Sequence, residues 1–159
     1  MRELALVVLA GSTLAAPLAS AQVKVQDAWL RPAAAGQPAA MVYVDIESGA
    51  PVKLVGARSP IARSAQLVIV EPPGPDAPHK IVGEIDVPAN VRKRLAYLGS
   101  HIRLVQIERD LTPGTGVPIE LDFIDANGKP IRAYIDANVR GIGARPPPDA
   151  ALSAPSKPN

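Results

Sequence analysis

The stretch "PIELDFIDANGKPIRAYIDANV", Pro118–Val139, contains the clearest structural signal in the chain. Every second residue from Ile119 to Phe123 is apolar, and the residues between them are acidic, which is the period of a β-strand with one buried face. A second run of this kind begins at Ile131. Asn-Gly between two such runs is the strongest short-range signal for a β-hairpin. The stretch therefore predicts two antiparallel strands joined by a turn at Asn127-Gly128.

The rest of the chain repeats this pattern of short apolar or alternating runs. Clusters of Gly, Pro and Ser separate the runs, and no segment carries a long helical period. Eighteen prolines agree with this, because proline belongs in loops and at strand edges. Many short strands at regular spacing predict an all-β fold, an antiparallel Greek-key β-sandwich or barrel. The predicted strands are Val23–Arg31, Ala40–Glu47, Val52–Ala57, Ala65–Val70, Lys80–Val87, Arg92–Leu98, His101–Ile107, Ile119–Ile124 and Ile131–Val139.

Both ends of the chain are predicted to lie outside this domain. Residues 1–21 combine Arg2, an apolar run and Ala19-Ser20-Ala21, the small-residue pattern that a signal peptidase cuts. The last residues, Ala144–Asn159, are proline-rich and lack apolar periodicity, which is typical of a disordered tail. We therefore predict a signal peptide at 1–21, one β-sandwich domain at 22–143 and a disordered Pro-rich tail at 144–159.

The signal peptide and the composition limit the compartment and the class of protein. A cleavable signal peptide predicts a periplasmic protein, and a chain without cysteine can carry neither a disulfide nor a lipid-modified cysteine. The net charge of +2 is too small for the basic field of a nucleic-acid-binding domain. The one basic cluster of the chain, Val91–Tyr97, is better explained by cationic side chains on the solvent side of a strand than by a nucleic-acid-binding site. We expect a monomer whose mature chain neither inserts into a membrane nor binds nucleic acid.

Three segments, taken in order, resemble the periplasmic copper chaperones of the PCuAC family. "VQDAWLRP", Val25–Pro32, is similar to the opening strand of that family, with its D-A-W-x-R block. Pro38–Pro60 is similar to the next two strands, and Gly83–Asp125 to the second half, with an I-x-V-P-A turn and a G-x-H strand. The resemblance extends over Val23–Arg140. It implies a cupredoxin-like β-sandwich that binds copper and delivers it toward the copper centre of cytochrome c oxidase.

The resemblance also implies where copper would bind. The family holds cuprous ion with the pattern H-x10-M-x21-H-x-M, and soft thioether and imidazole ligands suit that ion. Aligned on His101, the pattern places its first methionine on His79, its first histidine on Val68 and its last methionine on Arg103. Valine has no donor atom, and arginine only donates and is always charged. The resemblance therefore implies a metal site at His79 and His101, with two of four ligand positions lost.

Simpler interpretations apply to several of the same residues. His101 is alternatively a partly exposed, hydrogen-bonded histidine at the start of a strand. Met41 lies in an alternating strand and is expected to pack in the core, as is Trp29, the sole tryptophan. If the first strand is regular, Asp27 and Arg31 share a face with Trp29 and are expected to form a structural ion pair.

Three classes of function remain open. The first is a copper chaperone-like protein whose partners are a copper ion and a copper-accepting periplasmic or membrane protein. The second is a divergent binding or adaptor module of the same fold that does not bind copper, with the Pro-rich tail as a partner contact. The third is an enzyme, but Ser100 and His101 point to opposite faces of a strand, and no carboxylates show a catalytic spacing. We expect a binding protein rather than an enzyme.

Overall fold

The computed structural model describes residues 22–141. The predicted signal peptide and the predicted Pro-rich tail therefore lie outside the described residues and stay predictions. Within 22–141 the secondary structure is entirely β, and no helix is present that could cross a membrane. The strands are β1 (Val23–Leu30), β2 (Ala39–Ser48), β3 (Val52–Arg58), β4 (Ala62–Val70), β5 (His79–Val82), β6 (Ile85–Val87), β7 (Lys93–Leu95), β8 (His101–Ile107), β9 (Gly116–Asp125) and β10 (Pro130–Val139).

The strands form one continuous sheet that curls around an apolar interior. Their order is β5-β4-β8-β2-β1-β10-β9-β3-β6, with β7 pairing on β2. The pairings are antiparallel except that of β1 with β10. The strand pattern of the sequence thus predicted the fold class correctly. The largest fully buried apolar side chains of this interior are Leu30, Ile46, Leu54, Ile61, Ile85, Leu95, Ile102, Leu104, Ile119, Leu121 and Phe123.

The hairpin predicted at Asn127-Gly128 is confirmed. Strands β9 and β10 pair continuously from the turn outward. Gly128 takes the left-handed backbone conformation, with φ of 76°, which glycine adopts without strain. The Asp125 carboxylate accepts hydrogen bonds from the backbone N–H groups of Asn127 and Lys129 at 2.8 and 2.9 Å. The turn therefore fixes the register that buries Phe123 and its alternate neighbours.

Two predicted strands differ most from the observed ones. The predicted strand Lys80–Val87 is divided, since β5 pairs with β4 whereas β6 pairs with β3 at the opposite edge of the sheet. The chain crosses between these edges at Gly83-Glu84, and a single strand could not reach both. The predicted strand Arg92–Leu98 is shortened to β7, whose Arg94 forms a two-pronged ion pair with Asp45. The basic cluster is thus paired with carboxylates on the sheet surface.

The first strand is not regular, so the predicted ion pair between Asp27 and Arg31 is wrong. The register of β1 against β2 shifts between Gln26 and Trp29, and Asp27 has a φ of 53°. This irregularity is a β-bulge, which redirects the side chains that follow it. Arg31 instead places its guanidinium over the ring of Tyr97, 4.2 Å from its centroid. The bulge therefore directs Arg31 toward the outer face described next.

Candidate metal centre

The candidate site lies on the outer face of the sheet, on strands β4, β8 and β2. Ile102 and Leu104 of β8 point into the apolar interior, so His101 and Arg103 point outward. Val68 of β4 is the direct cross-strand neighbour of His101. We call six of the residues on this side the outer cluster. It comprises Trp29, Tyr43, Val68, Val70, His79 and His101.

His101 is almost completely buried, at 2% exposed, and one of its ring nitrogens has no partner. Its Nδ1 lies 2.8 Å from the carbonyl oxygen of Gly99. A carbonyl only accepts, so Nδ1 carries the proton and Nε2 presents a lone pair. Among the described residues, Nε2 of His101 is the one buried side-chain nitrogen or oxygen atom without a hydrogen-bond partner. Such an atom calls for an explanation, and binding of an ion is one of the usual ones.

The surroundings of His101 also favour its neutral form. Burial lowers the pKa of its imidazole below the ordinary value of 6.5, because a charged ring loses solvation there. The hydrogen bond to Gly99 opposes this shift, while electrostatic interactions with His79 and Arg103 lower the pKa further. A neutral imidazole with its other N–H held by a backbone carbonyl is the form in which histidine binds metals. Because His101 is buried, the expectation of a partly exposed histidine is wrong.

His79 is brought to the same place from a distant part of the sequence. It is the first residue of β5 and is exposed. Its ring centroid lies 5.4 Å from that of His101, with an angle of 65° between the ring planes. Two nitrogens that share one ion at about 2.0–2.1 Å each lie within about 4 Å of each other, and exposed side chains change rotamer readily. The two histidines that the sequence singled out thus converge at a buried lone pair.

The two other positions implied by the resemblance contribute no ligand. Val68 is buried against His101 and has no donor atom. Arg103 is exposed, shares a face with His101, and pairs in the sheet with Gln66 on one side and Met41 on the other. Within residues 22–141 no group of three or more His, Cys, Asp or Glu side chains is placed to hold a metal. A metal at the outer cluster would therefore need a donor of another type.

Met41 does not pack in the core, and that prediction is wrong. Its side chain is 39% exposed and lies on the outer face, where the hydroxyl of Tyr43 lies 3.7 Å from its sulfur. Burial raises the pKa of Tyr43 above its ordinary value of 10.0, so the hydroxyl keeps its proton and donates to the sulfur. The sequence held a signal for this: Val42, Val44 and Ile46 are the β-branched residues of this strand, and they mark the core face.

Aromatic rings and cations surround the outer cluster. Trp29 packs on Tyr43 with ring centroids 4.5 Å apart and is only half-buried, so it covers the outer face instead of filling the core as predicted. The guanidinium of Arg140 lies 5.4 Å from the centroid of the Trp29 ring. Tyr97 meets Tyr43 edge to face and remains about half exposed. The histidine pair thus sits beside a partly exposed aromatic surface with positive charges on it.

Comparisons with known proteins agree with this fold. The family model of the LpqE-like family, described as lipoproteins, matches residues 23–135. Lxx21020 of Leifsonia xyli subsp. xyli, which carries a lipoprotein name, is 31% identical over 110 residues, 69% of this chain. This chain covers 66%, just under two thirds, of the length of that relative.

Solved structures are similar over most of the chain. The copper-bound PCuAC domain of PmoF2 is 26% identical with a TM-score of 0.60, covering 76% of this chain and 93% of that domain. The apo form of the PmoF2 domain is 29% identical with a TM-score of 0.59, covering 77% and 92%. The Cu(I) form of DR1885 from Deinococcus radiodurans is 28% identical with a TM-score of 0.54, covering 77% and 81%. By its sequence this protein belongs to the LpqE-like family, and its domain has the cupredoxin-like fold of PCuAC domains.

Proposed function

We propose that this protein binds a copper ion as cargo between His79 and His101 and passes it to a copper-accepting protein. The observation that carries the proposal is the buried, unpartnered Nε2 of His101 beside the ring of His79. Neutral imidazole is a good ligand for copper, and Nε2 is already in the unprotonated form that a metal needs. The similar domains named above include copper-bound and Cu(I) forms, which supports the same cargo here.

The two histidines differ in burial, and this difference suits a protein that must release its ion. His101 is fixed by its bond to Gly99 and by burial, whereas His79 is exposed at the end of a short edge strand. An ion held by one fixed and one movable ligand can be released when an incoming donor replaces the movable one. His79 would then be the first ligand exchanged during transfer, and His101 the last.

The destination and compartment are further parts of the proposal. By its resemblance to PCuAC chaperones, the protein would act in the periplasm as a monomer and pass copper toward the copper centre of cytochrome c oxidase. The exported nature of the chain is supported by the lipoprotein descriptions of its family and of its relative. The role is that of a carrier, so the proposal assigns no catalytic residues.

A second function rests on a specific observation. By the resemblance, Val68 and Arg103 stand at two ligand positions, and neither side chain can bind a cation. Arg103 also carries a positive charge on the same face as His101. These features favour a divergent module that recognises a protein partner without copper. The two functions differ in one measurable property, the affinity for copper.

The test is a titration of the protein with cuprous ion under anaerobic conditions against a competing chelator, repeated with cupric ion. We expect one copper ion per protein. His101→Asn is the informative variant, because the asparagine amide can still donate to Gly99 while the Nε2 lone pair is removed. Loss of a group that merely orients a metal ligand already lowers affinity by about 10–100-fold, so loss of the ligand itself should lower it by more than about 100-fold.

His79→Asn and Lys80→Ala provide the comparison on strand β5. His79→Asn should weaken copper binding, and Lys80→Ala, which removes a neighbouring exposed charge, should not. Circular dichroism of each variant should show an unchanged β-sheet spectrum. If the unaltered protein binds neither cuprous nor cupric ion, or if the double variant of His79 and His101 binds copper as tightly as the unaltered protein, the proposal is wrong.

A further inference from the structure

We infer that the thioether sulfur of Met41 is a third copper ligand, which joins the two histidines and selects the cuprous ion. This inference rests on the proposed function, since it concerns the same ion. It adds a ligand from β2, a strand to which the sequence pattern assigned no part of the site. Four observations support it: strand register, the position of the sulfur, the exposure of Met41 and the chemistry of the donor set.

The register of β2 against β8 places Met41 next to the histidine pair. Met41 is directly opposite Arg103, and the antiparallel pairing continues through Val42 opposite Ile102. The next position brings Tyr43 opposite His101, and their ring centroids are 6.3 Å apart. Met41 is therefore the diagonal neighbour of His101 on the same face. Diagonal neighbours lie about 7–8 Å apart, within reach of long side chains.

The sulfur of Met41 is held by Tyr43, whose ring is a neighbour of His101. The hydroxyl of Tyr43 lies 3.7 Å from the sulfur of Met41, and the ring of Tyr43 packs toward His101. A hydrogen bond from Tyr43 uses one lone pair of the sulfur and leaves the other free. Tyr43 is itself 2% exposed and packs against Trp29, so it is a rigid support for a flexible methionine. Tyr43 thus acts as a positioning residue.

The exposure of Met41 also supports the inference. The side chain lies at the surface although its strand has buried neighbours at most other positions. An apolar side chain left 39% exposed forgoes burial free energy, and its sulfur can be reached by an ion from solvent. His79, the other exposed member of the proposed ligand set, lies on the opposite side of His101 in the strand order. The ion would thus be approached from solvent between β5 and β2.

The resulting donor set prefers cuprous ion. Two neutral imidazoles and one thioether suit cuprous ion, because a soft thioether sulfur favours this soft monovalent ion over the harder cupric ion. The chain contains no cysteine and two methionines, Met1 and Met41. Within residues 22–141, Met41 therefore carries the only sulfur atom. Any copper–sulfur bond formed by this domain must come from Met41.

The inference can be tested by X-ray absorption spectroscopy of the full chain, whose sulfur atoms are those of Met1 and Met41, loaded with cuprous ion and with ascorbate instead of a thiol as reductant. We expect one sulfur scatterer at about 2.3 Å, the usual metal–sulfur distance in such sites, with imidazole nitrogens at about 2.0 Å. Met41→Leu keeps the size and apolar character of the side chain and removes the sulfur. It should abolish the sulfur signal and lower cuprous affinity about tenfold, a loss of about 1.4 kcal/mol, with little change in cupric affinity.

Tyr134→Met in the Met41→Leu background is the matched control. Tyr134 is 69% exposed on β10, so this variant returns a surface thioether far from the histidines. It should restore neither the sulfur signal nor the affinity, and restoration of both would overturn the inference. Unchanged cuprous affinity of Met41→Leu would also overturn it, while loss of binding in His101→Asn would leave the proposed function standing. Absence of copper binding in the unaltered protein would overturn both.

Discussion

Two parts of the outer surface of the sheet differ in whether their polar groups have partners. On β3, β9 and β10, Arg58 and Arg132 both contact the carboxylates of Glu120 and Asp122, at 2.7 to 3.6 Å. We call these four residues the ionic face. On β4, β8 and β2, the outer cluster instead buries a histidine whose Nε2 has no partner.

This difference in pairing separates the part of the surface that folding alone explains from the part that it does not explain. Charges on the ionic face are exposed or half-exposed, and each has an oppositely charged neighbour, as expected on the solvent side of alternating strands. The outer cluster has its polar atom buried without compensation, which is unfavourable for an isolated domain. A group kept in an unfavourable state is better explained by a ligand than by folding.

The largest effect is expected in the interior that lies beneath both faces. Phe123→Ala removes a fully buried ring, and substitutions of this kind cost about 3–5 kcal/mol of unfolding free energy. Urea denaturation followed by tryptophan fluorescence measures this loss. Copper affinity per folded molecule should be unchanged, because Phe123 lies inside the sheet and away from the histidines. A large loss of affinity in the folded fraction would show that the interior and the outer cluster are not independent.

The next effect concerns the valine that faces His101. Val68→His places a third imidazole directly across the strand pair from His101, so we expect copper affinity to rise by about tenfold or more, equivalent to about 1.4 kcal/mol. The larger polar side chain in a buried position should cost about 1–3 kcal/mol of stability without copper, and copper should restore part of it. Chelator competition and thermal denaturation measure the two quantities.

Val68→Ile is the control for that substitution, since it adds bulk without a donor atom. It should leave copper affinity unchanged. If Val68→His and Val68→Ile have the same copper affinity, position 68 does not face the ion, and the site lies elsewhere on the outer cluster.

A smaller effect is expected from the cation beside the site. Arg103→Gln removes an exposed positive charge two residues along the strand from His101 and on the same face, so it should raise copper affinity about two- to fivefold at low salt. Arg63→Gln is the matched control, because Arg63 is also an exposed strand arginine but contacts Glu108. Its affinity should not change. An equal rise in both variants would indicate a general charge effect instead of a local one.

The fold could be predicted from the sequence because its signals are local. Alternation at Ile119–Phe123 and the turn at Asn127-Gly128 depend on the pleat of a strand and on the conformational freedom of glycine, which act within a few residues. These local signals did not predict features that depend on pairing with distant strands. Gly83-Glu84 divides a predicted strand because its halves join opposite edges of the sheet, and the bulge at Asp27 redirects Arg31.

The candidate site was only partly predictable for the same reason. The resemblance singled out His79 and His101, and the structure brings their rings together across β4. The buried state of His101 depends on the covering residues of the outer cluster, which no local pattern reports. The alternating strand that contains Met41 predicts a core position for it, but the β-branched residues beside it mark the opposite face as the buried one. Alternation alone does not say which face is buried, whereas the positions of the β-branched residues would have given the correct orientation.

The smallest effect is expected on the ionic face itself. Arg58→Ala removes contacts to Glu120 and Asp122, but Arg58 is exposed, Arg132 still contacts both carboxylates, and surface ion pairs contribute little to stability. The urea midpoint at physiological salt should therefore be the same as that of the unaltered protein within error, and so should copper affinity. Arg132→Ala should behave in the same way because Arg58 remains. A stability loss as large as that of Phe123→Ala would mean that the ionic face holds the β3–β9–β10 region together. The contrast between a face explained by folding and a face explained by a ligand would then fail.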